Sequence, residues 1–179
     1  DIWKATMDEV ALGRISPPVA WEDADQTLPV CRRFGIHQLS SSGKLKLRVI
    51  DDFAENGVND AVSINGRIKM GSLRSLRALA RRLFAHAPKK KILLLKADFK
   101  AAYRCAPVAG DQLVFARIMI MDPASGKLKV AYQWAMPFGA IGAVYAWDRI
   151  GSATTQILAK LFWLPIVRYV DDLFMATTE

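Results

Sequence analysis

The sequence contains few of the residues that build disulfide frameworks and zinc sites. Only two cysteines occur among the 179 residues, Cys31 and Cys105, and they are far apart along the chain. The two histidines, His37 and His86, are also widely separated. Both kinds of structure need closely spaced cysteines or clustered histidines. The sequence therefore predicts neither a disulfide framework nor a zinc or histidine-rich metal site.

The sequence also lacks an uninterrupted transmembrane segment. Residues 130–147 carry no charge, but Pro137 and Gly139 fall in the middle of this stretch and would break a helix there. We therefore expect no membrane partner. Hydrophobic residues make up 52% of the chain, which excludes intrinsic disorder and allows a substantial core.

Positive charge is concentrated in the middle of the chain. The whole chain has a net charge of +8, and residues 31–91 hold fourteen basic and four acidic residues, a net charge of +10. Residues 1–30 are net acidic, and residues 92–179 are nearly neutral. Clustered basic residues are typical of contact with phosphate groups, although a solvated basic face has the same composition. The pattern favours a nucleic-acid partner.

The first half of the chain is expected to contain a short helix and a hairpin. Thr6 and Glu9 fit a capping box, with Thr6 as the N-cap, and predict a helix that follows them. Residues 30–39 and 44–50 are predicted strands, joined by a turn at Ser40-Ser41-Ser42-Gly43.

A helix with two distinct faces is predicted from Ser72 to about Ala87. Its expected buried face consists of Leu73, Leu76, Ala80 and Leu83. Its basic face consists of Arg74, Arg77 and Arg81. We expect these arginines to contact a nucleic-acid backbone, and the alternative is an ordinary solvated face.

The second half of the chain combines strands with one long helix. The helix is predicted over residues 140–162. Strands are predicted over residues 92–95, 113–121, 127–134, 166–170 and 173–176. This mixture indicates an α+β fold.

Three aspartates stand where apolar strands end. Asp98 follows one apolar strand, and Asp171 and Asp172 occupy the tip of a predicted hairpin. If these strands are neighbours in one sheet, the three carboxylates converge and offer oxygen ligands suited to Mg²⁺. Two such ions would support an in-line phosphoryl displacement. The alternative is that Asp98 is a helix N-cap and Asp171-Asp172 an ordinary polar turn.

Four segments, in order along the chain, resemble motifs of the reverse transcriptases of retroelements, of the long-terminal-repeat or tyrosine-recombinase type. Residues 95–108, which include Asp98-Phe99-Lys100-Ala101-Ala102-Tyr103, resemble motif A. Met136-Pro137-Phe138-Gly139-Ala140 is similar to motif B, and Tyr169-Val170-Asp171-Asp172 to motif C. Arg48-Val49-Ile50-Asp51-Asp52-Phe53, followed by Gly57-Val58-Asn59, resembles the fingers strand that precedes motif A.

The resemblance implies roles for individual residues. Asp98, Asp171 and Asp172 would hold two Mg²⁺ ions, which Mn²⁺ can replace, with the carbonyl of Phe99 as a further ligand. Tyr103 would act as the steric gate against a ribose 2′-hydroxyl, and the alternative is a core tyrosine. The residues expected to contact the incoming nucleotide or its template partner are Arg48, Lys46, Phe138 and Gly139. Lys46 could equally be a solvated neighbour of Arg48.

The resemblance further implies a right-hand polymerase fold without its thumb. Residues 1–91 would form a basic, fingers-like segment, and residues 92–179 a palm with an antiparallel sheet backed by helices. The implied activity is RNA-directed DNA polymerisation on a primed RNA or DNA template with deoxynucleoside triphosphates. We expect the thumb and RNase H regions of a longer polyprotein as further partners. The alternative is a catalytically inactive, nucleic-acid-binding remnant of such a polymerase.

Overall fold

The computed structural model describes residues 1–40 and 43–179, in two compact units that each combine separate stretches of the chain. Unit 1 comprises residues 1–64 and 103–144, and unit 2 comprises residues 65–102 and 145–179. Both α-helices and β-sheets are present, so the expected α+β class is confirmed. The division into fingers and palm at residue 91 follows the sequence resemblance rather than compactness, and it stays a prediction.

The helices and strands alternate irregularly along the chain. The α-helices are α1 (Ile2–Ala11), α2 (Leu73–His86) and α3 (Ile141–Leu161). The strands are β1 (Val19–Ala20), β2 (Cys31–Leu39), β3 (Leu45–Asp51), β4 (Ile92–Asp98), β5 (Arg117–Met121), β6 (Leu128–Tyr132), β7 (Ile166–Tyr169) and β8 (Asp172–Thr178). Short 3₁₀ helices lie at Trp21–Asp23, Ala102–Cys105 and Gly110–Phe115.

Unit 1 is built on a five-stranded sheet in the order β1-β6-β5-β2-β3. The β2–β5 pair is parallel, and the other pairs are antiparallel. The predicted hairpin of β2 and β3 is confirmed, with Phe34 opposite Ile50, although Ser41 and Ser42 of its predicted turn lie outside the described residues. The core of this unit is a cluster of fully or almost fully buried apolar side chains: Ile15, Cys31, Phe53, Ile118 and Ala131.

A charged network lies inside unit 1 beside this apolar cluster. The guanidinium of Arg33 on β2 donates two hydrogen bonds to the Asp51 carboxylate on β3, at 2.7 and 2.9 Å. Gln133 donates a further hydrogen bond to Asp51 at 3.0 Å, and Arg33 also donates to the Thr6 hydroxyl at 3.0 Å. Removing one partner of such a buried pair leaves an uncompensated charge, which is strongly destabilising. The network therefore ties α1, β2 and β3 together.

Unit 2 is built on a three-stranded antiparallel sheet in the order β4-β8-β7. The helix α2 packs against β8 and β4. It starts at Ser72, whose hydroxyl accepts a hydrogen bond from the Ser75 backbone N–H, so the predicted N-cap is confirmed. The buried side chains at the centre of this unit include Trp147, Arg168, Leu173 and Ala176.

Two expectations about the helices are wrong. Thr6 is not an N-cap, because α1 already begins at Ile2 and the Thr6 hydroxyl donates to the Ile2 carbonyl within the helix. Threonine can satisfy its hydroxyl in this way inside a helix, which removes the need for a cap at that position. Leu73 was expected on the buried face of α2, but its side chain is 84% exposed. It lines an open groove of about 530 Å³ at the first turn of the helix instead.

The strand expected over residues 113–121 is shorter than predicted. Residues 110–115 form a 3₁₀ helix, and β5 begins only at Arg117. The long helix expected over residues 140–162 is confirmed within one residue at each end. Among the described helices, none combines the length and apolar character needed to cross a lipid bilayer.

The two cysteines provide a test of the core of unit 1. Burial raises the pKa of the Cys31 thiol far above its ordinary value, and the nearby Asp51 carboxylate adds to this shift, whereas Cys105 is exposed. Since the thiolate is the reactive form, we expect iodoacetamide to label Cys105 in the native protein and to label Cys31 only after unfolding.

The same shift predicts how stability depends on pH. The folded state keeps the Cys31 proton while the unfolded thiol loses it above its ordinary pKa of 9.0, so the free energy of unfolding falls as pH rises past that value. Replacing Cys31 with alanine should remove this part of the pH dependence, and the matched change at Cys105 should not. Rapid native labelling of Cys31 would contradict the assignment.

Candidate functional site

The three predicted aspartates converge at one end of the sheet in unit 2. Asp98 is the last residue of β4 and lies directly opposite Asp172, the first residue of β8. Asp171 belongs to the two-residue connection between β7 and β8. One carboxylate oxygen from each of the three lies within 4.8 Å of the others. The convergence expected from the sequence is thus confirmed.

Backbone pairing explains why the aspartates meet. Tyr169 pairs with Asp172 across the β7–β8 hairpin, so Val170 and Asp171 form a tight turn. The Phe99 backbone N–H then donates to the Asp171 carbonyl at 3.0 Å and fastens the end of β4 to this turn. Asp98 is not a helix N-cap, because it ends a strand and the next helical segment starts only at Ala102.

A lysine contributes positive charge to this acidic cluster. The Lys96 ammonium on β4 lies 2.9 Å from Asp172 Oδ2. The hydrogen bond to Asp172 raises the pKa of Lys96, and the charges of Asp172, Asp98 and Asp171 act in the same direction. Asp98 is exposed, and Asp171 and Asp172 are partly exposed, so the carboxylate oxygens are accessible from solvent. This donor set suits a hard divalent cation that keeps part of its water shell.

Phe99, the predicted source of a carbonyl ligand, contacts the rest of unit 2 through its ring as well as through its backbone N–H. The ring packs edge-on against Trp147, with the centroids 5.0 Å apart. Trp147 is 2% exposed, and its indole N–H donates to the Val170 carbonyl at 2.9 Å. Neither Trp147 nor Arg168 was predicted from the sequence to belong to the site. For Arg168, the sequence did contain one signal, which is a charged residue inside an otherwise apolar strand.

The predicted arginine face of α2 is confirmed as a solvent-exposed face in unit 2. The side chains of Arg74, Arg77 and Arg81 are all exposed on this helix. They are three or four residues apart and therefore share one side of the helix. Their contact with nucleic acid stays a prediction.

Arg48 and Lys46 lie together on β3 in unit 1. Both side chains are exposed and, being two residues apart, emerge on the same face of the hairpin. The Arg48 guanidinium donates to the side-chain carbonyl of Gln38 on the neighbouring strand. This contact orients Arg48 across the hairpin and leaves further donors of its guanidinium for an anionic ligand.

Tyr103 and Phe138 also meet in unit 1. Their rings pack edge to face with centroids 5.2 Å apart, although the two residues are 35 positions apart in the chain. Tyr103 is partly exposed, and its role as a steric gate stays a prediction. The structure therefore brings together the predicted steric gate, Tyr103, and a residue predicted to lie beside the nucleotide, Phe138.

Gly139 follows Phe138 in a turn that only glycine fits. Its φ angle is +97°, and a Cβ at this position would lie 2.4 Å from the Asp51 carbonyl oxygen. The Asn59 side chain donates to the Gly139 carbonyl at 2.9 Å and accepts from the Ile141 N–H at 2.9 Å. Asn59 therefore stabilises the turn through hydrogen bonds to the backbone of both Gly139 and Ile141. Sequence reasoning included Asn59 only in a motif and assigned it no role.

Comparison with known families and with curated proteins found no relatives of this chain. No family description matches it, and no curated protein matches it.

The Gly139 turn leads to a stability prediction. We expect Gly139→Ala to lower the free energy of unfolding by about 3 kcal/mol, since the change combines an unfavourable φ with a backbone clash. Gly126→Ala is the matched control, because Gly126 has φ +66° with nothing within 4 Å of its added Cβ, so only the φ cost of about 1 kcal/mol applies. Denaturant unfolding measures both. Equal losses in the two variants would contradict the close approach to Asp51.

Proposed function

We propose that this chain is the fingers-and-palm portion of an RNA-directed DNA polymerase, which adds deoxynucleotides to a primer by two-metal nucleotidyl transfer. The observation that carries this proposal is the convergence of Asp98, Asp171 and Asp172 on neighbouring antiparallel strands. Three carboxylates kept this close repel one another, and a divalent cation bound by several of their oxygens would offset that repulsion.

The residues present fit Mg²⁺. All three side chains offer oxygen ligands within 4.8 Å of one another, and they are accessible enough to leave coordination positions for water and substrate phosphates. The ammonium of Lys96 on Asp172 supports the same conclusion, since the cluster already attracts a cationic group of its own chain. When bound, divalent ions would stabilise the attacking and leaving oxygens of an in-line displacement.

The remaining residues supply binding and selection. In unit 2, the fastened Phe99 backbone keeps the end of β4 beside the hairpin turn. In unit 1, Arg48 and Lys46 present positive charge suited to a triphosphate. The packed rings of Tyr103 and Phe138 offer an aromatic surface suited to a deoxyribose. The exposed Arg74, Arg77 and Arg81 of α2 suit the phosphate backbone of the template or primer.

A second candidate function is nucleic-acid binding without catalysis, as in a remnant of such a polymerase. The exposed arginine face of α2 favours it, because this face can bind phosphates whether or not the aspartates hold metal. The thumb and RNase H regions of a longer polyprotein are proposed partners under either function.

Substitution of a single carboxylate separates the two functions. We expect Asp171→Asn to reduce primer extension with Mg²⁺ or Mn²⁺ by at least about 100-fold, on RNA and on DNA templates, because one metal ligand loses its charge. Mn²⁺ binding, measured by electron paramagnetic resonance, should weaken in parallel, while salt-dependent binding to the template stays unchanged.

Asp111→Asn is the matched control, since Asp111 is an exposed aspartate outside the cluster. It should keep wild-type extension and Mn²⁺ binding. A wild-type chain that binds template but neither incorporates nucleotides nor binds Mn²⁺ would favour the non-catalytic function.

The aromatic pair leads to a prediction about sugar selectivity. We expect Tyr103→Ala to lower discrimination against ribonucleotides by at least about tenfold, since the aromatic ring that would clash with a 2′-hydroxyl is removed. The ratio of kcat/KM for deoxynucleotides and ribonucleotides measures this. Tyr145→Ala, at a partly exposed tyrosine of α3, serves as the control. Unchanged selectivity in Tyr103→Ala would remove Tyr103 from the role of steric gate.

A further inference from the structure

The turn that carries Asp171 has an unfavourable backbone conformation. Val170 has a φ of +53° although it is neither glycine nor asparagine. A β-branched residue in the left-handed region is a true outlier, because its branched side chain crowds the backbone there. Such a conformation persists only where surrounding contacts impose it. Some part of unit 2 therefore has to hold this turn.

We propose that Trp147 and Arg168 are positioning residues that hold the Val170 turn and thereby set where Asp171 and Asp172 lie. Both donate to the same acceptor, the Val170 carbonyl, Trp147 through its indole N–H at 2.9 Å and Arg168 through Nη1 at 2.8 Å. Their effect on metal binding depends on the proposed function, whereas their effect on the turn does not.

Arg168 is itself fixed on several sides. Its side chain is 5% exposed, and its second terminal nitrogen donates to the Asp148 carboxylate and to the Ser152 hydroxyl at 2.9 Å. Gly151 leaves the space that the guanidinium occupies, since a Cβ there would lie 2.9 Å from Arg168 Nη1. Asp148, Gly151 and Ser152 of α3 thus form a socket for the Arg168 guanidinium. A buried charge held in this way has a single orientation available to it.

Trp147 links the turn to the end of β4. Its ring contacts Phe99, whose backbone N–H donates to the Asp171 carbonyl at 3.0 Å. One side chain therefore touches both segments that carry the aspartates. Loss of the indole N–H would free one side of the Val170 carbonyl and leave the ring contact in place.

Two substitutions test the proposal with two independent measurements. Trp147→Phe removes the N–H donor and keeps an aromatic ring, and Arg168→Lys keeps the charge but loses the fork that reaches Val170 and Asp148 together. We expect each to accelerate hydrogen exchange at the Phe99 amide at least about tenfold and to weaken Mn²⁺ binding about tenfold, as is typical when partners of metal ligands are changed. Trp134→Phe and Arg149→Lys, at exposed positions, are the matched controls.

A pair of glycine substitutions tests the socket separately. Alanine ordinarily favours a helix over glycine. We therefore expect Gly142→Ala to favour the helix, because nothing lies within 4 Å of the added Cβ. Gly151→Ala should instead accelerate exchange at Phe99 and weaken Mn²⁺ binding, because it displaces the guanidinium of Arg168.

The outcomes separate this proposal from the proposed function. Faster exchange at Phe99 in Trp147→Phe and Arg168→Lys, but not in the controls, supports the positioning role even if the wild-type chain binds no Mn²⁺, a result that would count against the polymerase. Wild-type exchange at Phe99 in both variants would overturn the positioning role. Faster exchange with wild-type Mn²⁺ affinity would also overturn it, because the turn would then move without moving the metal ligands.

Discussion

Three carboxylates at one end of a small sheet repel one another, and the backbone contacts of unit 2 hold them there against that repulsion. Asp98 and Asp172 are held face to face by strand pairing, and Asp171 is attached through the hydrogen bond from the Phe99 N–H. Like charges this close favour separation of the side chains. Each of these backbone connections belongs to a β-ladder or to its end, and together they place the three aspartates at one end of the sheet.

Unit 1, in contrast, contains charges that are truly buried. Arg33 and Asp51 form a bidentate pair in the interior, and Gln133 and Thr6 complete their hydrogen bonds. The charges are thereby compensated inside the unit, so this network serves the fold rather than a ligand. It has a consequence for the Gly139 turn, because the carbonyl of the same Asp51 stands where a side chain at residue 139 would go. The turn is therefore positioned by a residue whose carboxylate is fixed by the core.

The sequence predicted the parts that depend on local pattern. Apolar runs ending in aspartate predicted β4 and the β7–β8 hairpin, and periodicity with Ser72 predicted α2. It did not predict the supports of the site, since the contacts of Trp147, Arg168 and Asn59 join residues far apart in the chain. The prediction that Thr6 is a helix N-cap was wrong for a related reason. A hydroxyl that can cap a helix can also bond inside one, and only the surrounding chain decides between the two.

Lys96 is a counter-ion of the acidic cluster in unit 2. Its ammonium neutralises part of the charge around Asp172 and so lowers the repulsion that the backbone has to resist. The side chain is 57% exposed, however, and an exposed ion pair of this kind is weak because water and salt compete with it. A divalent ion bound by several oxygens carries twice the charge and can displace a single ammonium from one of them. In the proposed metal site, Lys96 is the counter-ion of Asp172 whose place a bound divalent ion would take.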